Sequence, residues 1–289
     1  MKPKNKKSIF FIFLPVIVVG CVQGLNYPDI PEQNAFFSYT ADSYEVTFTN
    51  ESKMSGSYKW DFGDGTSSTE ENPVHNFGVK GKYLVTLNVT SGGETFEAAT
   101  IMLLDKTSKI KLDDGTVADW DNISKNTVVS GPDGMGVKLG KFDYDANYIY
   151  IYIEQASTIA EGTIFSLFLD TDTTLTSGFA LGTFPGLGAE NYFEGEVVIP
   201  EPWFDPYKYS GDGSDWAWDY TQVNDFYKVG HVEESDGLLK YELAISRTKI
   251  SGLTNEAVRL GIIVMDSGWS DFGYMPDKNT SGFLLMMNE

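Results

Sequence analysis

Trp60-Asp61-Phe62-Gly63-Asp64-Gly65, with Asn72-Pro73-Val74-His75-Asn76-Phe77 and Gly81-Lys82-Tyr83 after it, decides how the chain is read. Upstream, Val46 and Phe48 alternate with Thr47 and Thr49. Downstream, Tyr83, Val85, Leu87 and Val89 alternate with Lys82, Leu84, Thr86 and Asn88. A two-residue period of apolar and polar side chains marks strands with one buried face. A tryptophan on a central strand can fill the space between two such sheets, and Asp64-Gly65 suits the turn of a hairpin. Cys21 is the only cysteine, so no disulfide within the chain can join the sheets. Trp60 is therefore expected to carry much of this core.

These motifs resemble the PKD domain, an immunoglobulin-like β-sandwich, across residues 35–105. The resemblance implies a spacer, or a module that contacts protein or glycan in surface proteins. Tyr83, opening its strand, stands where a tyrosine corner would lie. The family pattern has a histidine at the position of His75, which gives it a structural role, and Asp61 and Asp64 read as turn residues.

Lys106 to Lys109 marks an expected boundary, and residues 106–289 again read as strands. Tyr148-Ile149-Tyr150-Ile151-Tyr152-Ile153 is a strict alternation. Further strands are expected over 137–144, 163–170, 190–199, 238–245, 258–265 and 283–287, with a short helical turn in 246–253. His231 reads as a strand residue. So many strands are most simply housed in one two-sheet sandwich of the jelly-roll kind. The fold class is thus all-β: an N-terminal immunoglobulin-like sandwich and a larger C-terminal one.

Asp113-Asp114-Gly115 with Asp119-Trp120, and Asp145-Ala146-Asn147 before the Tyr-Ile strand, resemble the opening of family 9 carbohydrate-binding modules and their DOMON-like relatives. Asp170-Thr171-Asp172, Ser177-Gly178-Phe179, Gly188-Ala189-Glu190-Asn191-Tyr192 and Tyr241-Glu242-Leu243-Ala244-Ile245 fit the same group. The resemblance implies a glycan-binding sandwich, in which family 9 modules hold a sugar between tryptophans. Sugars offer C–H faces that stack on aromatic rings and hydroxyls that bond to Asp, Asn and Gln.

The candidate carbohydrate contacts are Trp203, Phe204, Trp269 and Tyr274. Pro202 and Pro206 hold the first two in a segment expected to lie outside a ladder, where a ring can stay exposed. Trp269 and Tyr274 lie in the loop 266–277. For Trp203 and Trp269, ligand contact and packing both remain open. The richer aromatic stretch, Trp216, Trp218 and Tyr220, shares one strand face opposite Asp215 and Asp219, so it is expected to face the core. Asp170 and Asp172 follow an apolar strand with alternate carboxylates, a pattern suited to Ca²⁺ with its six to eight oxygen ligands. The same residues are ordinary turn formers. No nucleophilic triad, phosphate loop, dinucleotide fingerprint or zinc spacing is present, and the chain is read as non-catalytic.

At the N-terminus Lys2, Lys4, Lys6 and Lys7 precede an apolar run from Ile9 to Val19. That is the layout of a secretory signal, and the run of about 11 residues falls short of the roughly 20 that span a bilayer. Val18-Val19-Gly20-Cys21 resembles the lipobox of bacterial lipoproteins, which implies cleavage before Cys21, lipidation of its thiol and a membrane anchor. Residues 1–20 then form the signal peptide and 21–34 a lipidated tether. Loss of residues 1–20 removes four lysines and no acid, taking the net charge from −20 to −24. Such a surface disfavours nucleic acid and other polyanions, leaving neutral glycans open. The expected partners are a neutral glycan, the membrane through the anchor, and glycan-degrading enzymes or transporters at an outer-membrane surface. A protein-binding adhesin or scaffold is the alternative, and a glycan-active enzyme ranks below both.

Overall fold

The computed structural model describes residues 35–174, 177–253 and 256–288. The expected signal peptide, Cys21 and the expected tether lie outside them. The described chain is nearly all β: its only helical pieces are four short 3-10 turns. Among the described residues no helix is long and apolar enough to cross a membrane.

Seven strands make the N-terminal sandwich: β1 (Phe37–Asp42), β2 (Glu45–Asn50), β3 (Ser57–Asp61), β4 (Ser67–Ser68), β5 (Val74–Asn76), β6 (Gly81–Ser91) and β7 (Glu94–Leu104). They form a three-stranded sheet, β1-β2-β5, and a four-stranded sheet, β4-β3-β6-β7. The expected inward set holds. Val46, Phe48, Trp60, Tyr83, Val85, Leu87 and Val89 are all buried in one core. The Trp60 indole N–H is satisfied there by the Glu70 carbonyl at 2.9 Å. The Tyr83 hydroxyl donates to the Val79 carbonyl at 3.0 Å, the local tie of a tyrosine corner. Asp64 accepts from the Thr66 amide and hydroxyl and meets His75 Nε2 at 2.7 Å. His75 itself lies flat on Phe62 at 4.1 Å, which is a packing role.

The C-terminal sandwich comprises β8 (Thr127–Val129), β9 (Val137–Tyr144), β10 (Tyr148–Gln155), β11 (Ile164–Asp170), β12 (Phe179–Ala180), β13 (Gly188–Ala189), β14 (Asn191–Gly195), β15 (Asp205–Tyr209), β16 (Trp218–Tyr220), β17 (Tyr227–Ser235), β18 (Leu238–Ser246), β19 (Ala257–Met265), β20 (Asp271–Met275) and β21 (Phe283–Met286). One sheet runs β17-β18-β10-β9-β8. The other runs β16-β15-β14-β11-β19-β20, with β21 also paired to β19. Ile149, Ile151 and Ile153 of one sheet meet Phe165, Leu167 and Leu169 of the other in the main core.

The tyrosine face of β10 is largely covered, with Tyr150 and Tyr152 buried and Tyr148 half-buried. The segment before β8 folds over it, Trp120 stacks on Tyr152 at 5.5 Å, and the Trp120 indole N–H donates to the buried Glu242 carboxylate at 2.7 Å. The expected helical turn is a 3-10 turn at Arg247–Lys249, and His231 lies in β17 as expected. Strand β14 is shorter than the 190–199 expected, because the chain leaves the ladder after Gly195.

Candidate functional site

The strand pairing lines up aromatic residues on the outer face of the seven-stranded sheet, away from the main core. In register across four strands lie Phe168, Tyr192, Tyr207 and Tyr220. Tyr192 stacks on Phe168 at 4.6 Å and on Tyr207 at 5.4 Å. The loop between β11 and β14 covers one end of this row with Phe179, Leu181, Phe184 and Leu187. Gly261 makes room for that cover: a Cβ there would fall 2.4 Å from the Phe184 ring.

The uncovered part is a cleft of about 480 Å³. Its floor is Ser166, Phe168, Tyr192, Glu194 and Tyr207. Trp216 and Trp218 wall it from the β16 side, and Trp269 and Asp271 from the β20 side. These are the two ends of the strand order, so tryptophans from opposite ends of the sheet look onto one concavity. Trp216 is 61% exposed and Trp269 57% exposed, large apolar surface left open to water. Trp216 is nevertheless braced, edge-on to Phe179 at 5.3 Å and to Tyr192 at 5.6 Å. The Trp218 indole N–H, buried in the wall, has no acceptor among the described residues.

Trp269 is held by its backbone. It sits at φ +64° in a turn closed by its own N–H on the Asp266 carbonyl at 2.9 Å. The Asp266 carboxylate caps the same turn through the amides of Gly268 and Ser270, each at 2.9 Å. A left-handed conformation at a non-glycine residue costs of order 1–3 kcal/mol, and such outliers gather at ligand clamps. The polar groups of the cleft are equally fixed. Burial, with Asp205 adding to it, pushes the Glu194 carboxyl up, against a 3.1 Å hydrogen bond from the Ser166 hydroxyl. The Tyr274 hydroxyl donates to Asp271 and orients it.

The expected contacts therefore separate. Trp269 lies at the cleft. Tyr274 is buried with its ring under Lys278 Nζ, 4.1 Å from the centroid, and reaches the cleft only through Asp271. Trp203 is half-buried elsewhere, its indole N–H bound to Glu196 at 3.0 Å. Phe204 corrects the expectation of an exposed ring. It is 3% exposed among Phe165, Phe193 and Phe226, because Pro206 enters the ladder of β15 opposite Phe193, and Phe204, two residues before it, falls on the same inward face. The expectation that Trp216, Trp218 and Tyr220 face the core is corrected for Trp216 and Tyr220, which are exposed, while Trp218 is half-buried against the smaller outer cluster. Strand β16 is a sheet edge, and among the described residues no second sheet lies over its aromatic face. The signal available in sequence was β11 itself, where Phe168 and Ile164 make the second face apolar as well as the first.

At the other end of the same face Asp170, Asp172 and Glu190 come together, with one oxygen of each within 4.8 Å of the others. Sequence reasoning paired the two aspartates; Glu190 joins them only through the pairing of β11 with β14. Burial first, then the Glu190 charge, push the Asp170 carboxyl up to about 6.

Comparison with known proteins bears chiefly on the N-terminal sandwich. Residues 29–102 match the PKD domain. Collagenase ColA of Bacillus cereus is 39% identical over 80 residues, 26% of this chain and 8% of the collagenase. A microbial collagenase of Vibrio alginolyticus is 38% identical over 60 residues, 19% of this chain and 7% of that protein. The chain thus matches under a tenth of the length of either relative. Among solved structures, the PKD1 domain of the Vibrio cholerae metalloprotease PrtV is 32% identical, covers 25% of this chain and 95% of that one, and has a TM-score of 0.24. A carbohydrate-binding module of the β-sandwich superfamily is 15% identical, covers 85% of this chain and 100% of its own, and has a TM-score of 0.23. The N-terminal sandwich is a PKD domain, as its motifs implied.

Proposed function

We propose that this is a surface-anchored, non-catalytic lipoprotein that binds a neutral polysaccharide or oligosaccharide in the cleft of its C-terminal sandwich. The observation that carries this reading is the pair of exposed tryptophans, Trp216 and Trp269, facing one concavity from opposite ends of a sheet. Their rings, with Tyr192 and Tyr207 beneath, offer stacking faces to sugar C–H groups. Glu194 and Asp271 accept hydrogen bonds from hydroxyls. The net charge of −20 across the chain favours an uncharged ligand.

In this reading Cys21 carries the lipid, the tether and PKD domain hold the cleft away from an outer membrane, and the captured glycan is passed to degrading enzymes or transporters. Affinity electrophoresis of the full-length protein against a neutral xylan, galactomannan, mixed-linkage glucan and α-glucan tests it. Retardation by one of them, lost in Trp216→Ala and Trp269→Ala, supports the reading; no retardation by any refutes it. Mass spectrometry of the membrane form tests the anchor, and a free Cys21 thiol would remove that part.

The alternative of a protein-binding scaffold has one observation in its favour. Leu84, Ile101 and Leu103 are exposed on the β6–β7 hairpin, with Leu84 directly opposite Ile101. That outer face would be its contact surface.

A further inference from the structure

The outer face of the seven-stranded sheet ends, beside the aromatic row, in three carboxylates. Asp170 closes β11, Asp172 opens the following loop, and Glu190 leads into β14. Two oxygens bound to a single Ca²⁺ at about 2.3–2.6 Å are at most about 5 Å apart. The 4.8 Å spread of the cluster meets that limit.

An independent observation points into the cluster. Asp170 is fully buried, and neither of its carboxylate oxygens makes a well-formed hydrogen bond among the described residues; only the Thr173 and Gly188 amides lie near enough to ease its charge. Arg259 faces it from β19, but the closest approach is 3.8 Å, from Nε to Oδ2, and that Nε also lacks an acceptor. A buried carboxylate so weakly bonded is costly, and native proteins pair it or bind it to metal. Asp172 and Glu190, by contrast, are held in place. The Thr174 amide and hydroxyl bond Asp172 Oδ1, and the Thr171 amide and hydroxyl bond Glu190 Oε2.

Ser177 Oγ lies 2.6 Å from both Asp172 Oδ2 and Glu190 Oε1. A hydroxyl has one hydrogen and can donate to only one of them. The arrangement is short of positive charge: three carboxylates against one guanidinium leave two negative charges, the complement of a divalent cation.

We propose that Asp170, Asp172 and Glu190 bind one Ca²⁺ ion, and that this ion sets the loop between them as a wall of the cleft. Asp172 and Glu190 stand at the two ends of that loop. Between them Phe179 braces Trp216, Leu181 lines the cleft, and the Ala180 amide donates to the Gly213 carbonyl at 3.0 Å, in the turn before Trp216. Tying the loop ends therefore fixes the support of the exposed indole. The ion site stands on its own; its consequence for glycan rests on the function proposed above.

Calcium chloride alone, added to the full-length protein against a chelator control, tests both halves. The melting temperature should rise by about 5–10 °C with millimolar calcium. Asp172→Asn and Glu190→Gln, at partly exposed positions, should remove the rise. No rise, or an equal rise in both variants, overturns the site. Tryptophan emission should shift with calcium, and less so in Trp216→Phe. An emission spectrum indifferent to calcium, in a protein that calcium stabilises, overturns the wall. Both readouts need no glycan, so the failure of glycan binding would be seen separately, as absent retardation with these shifts intact.

Discussion

Trp60, in β3, and Trp216, just before β16, each sit in an aromatic stretch beside an aspartate, and the two sandwiches treat them in opposite ways. In the N-terminal sandwich the aromatic cluster of Phe48, Trp60, Phe62 and Phe77 lies between two sheets, with Trp60 inaccessible and its N–H bonded to Glu70. In the C-terminal sandwich the cluster of Phe168, Tyr192, Tyr207, Trp216 and Trp218 lies on the outside of a sheet, covered by a loop at one end only. One cluster contributes stability. The other exposes apolar surface without burying it, which is what a binding face requires.

That contrast can be broken by substitution. Trp60→Ala should cost about 3–5 kcal/mol, because a full indole leaves a close-packed core. Chemical denaturation reads it, and an unchanged midpoint would show that the tryptophan does not hold the sheets. Phe204→Ala should destabilise the C-terminal sandwich on a similar scale while leaving glycan retardation of the folded fraction intact.

The pH dependence comes next in size. The Asp170 pKa is about 6 in the folded chain against an ordinary 3.8, so the folded state binds its proton more tightly than the unfolded one. In chelator, the stability this group contributes is full below pH about 4. It is lost as pH rises through about 6, on the order of 2–3 kcal/mol. Melting curves in EDTA should show that fall, and Asp170→Asn should flatten it; a variant with the same fall as the parent would refute the assignment.

Trp269→Ala and Trp216→Ala should each weaken glycan binding at least about tenfold, roughly 1.4 kcal/mol, with little loss of stability. Should either unfold the protein instead, the exposed rings would be supporting the sheet after all. Tyr83→Phe is the mildest test. Removing one side-chain to backbone hydrogen bond should cost about 1 kcal/mol, read as a small drop in melting temperature.

The reading from sequence succeeded where local pattern and burial coincide. The alternations around Val46, Tyr83 and Ile149, the corner hydrogen bond of Tyr83 and the packing of His75 all follow from chemistry within a few residues. It went astray at Phe204, where a proline expected to interrupt a ladder enters one, and at Trp216. For Trp216 the period correctly placed three aromatics on one face but could not say what covers that face. Glu190 was out of reach for a related reason: its partner Asp172 is eighteen positions away in the chain, and only the antiparallel register joins them.

What the sequence determined alone, then, is the all-β class, the PKD domain and the alternating faces of its most regular strands. These rest on short-range rules: side chains alternate along a strand, and glycine and aspartate turn it. The tertiary structure decided which sheet face is closed by another layer, which tryptophans stay open, and which carboxylates become neighbours. Those depend on strand order and register, set by the packing of the whole sandwich rather than by any one stretch of it.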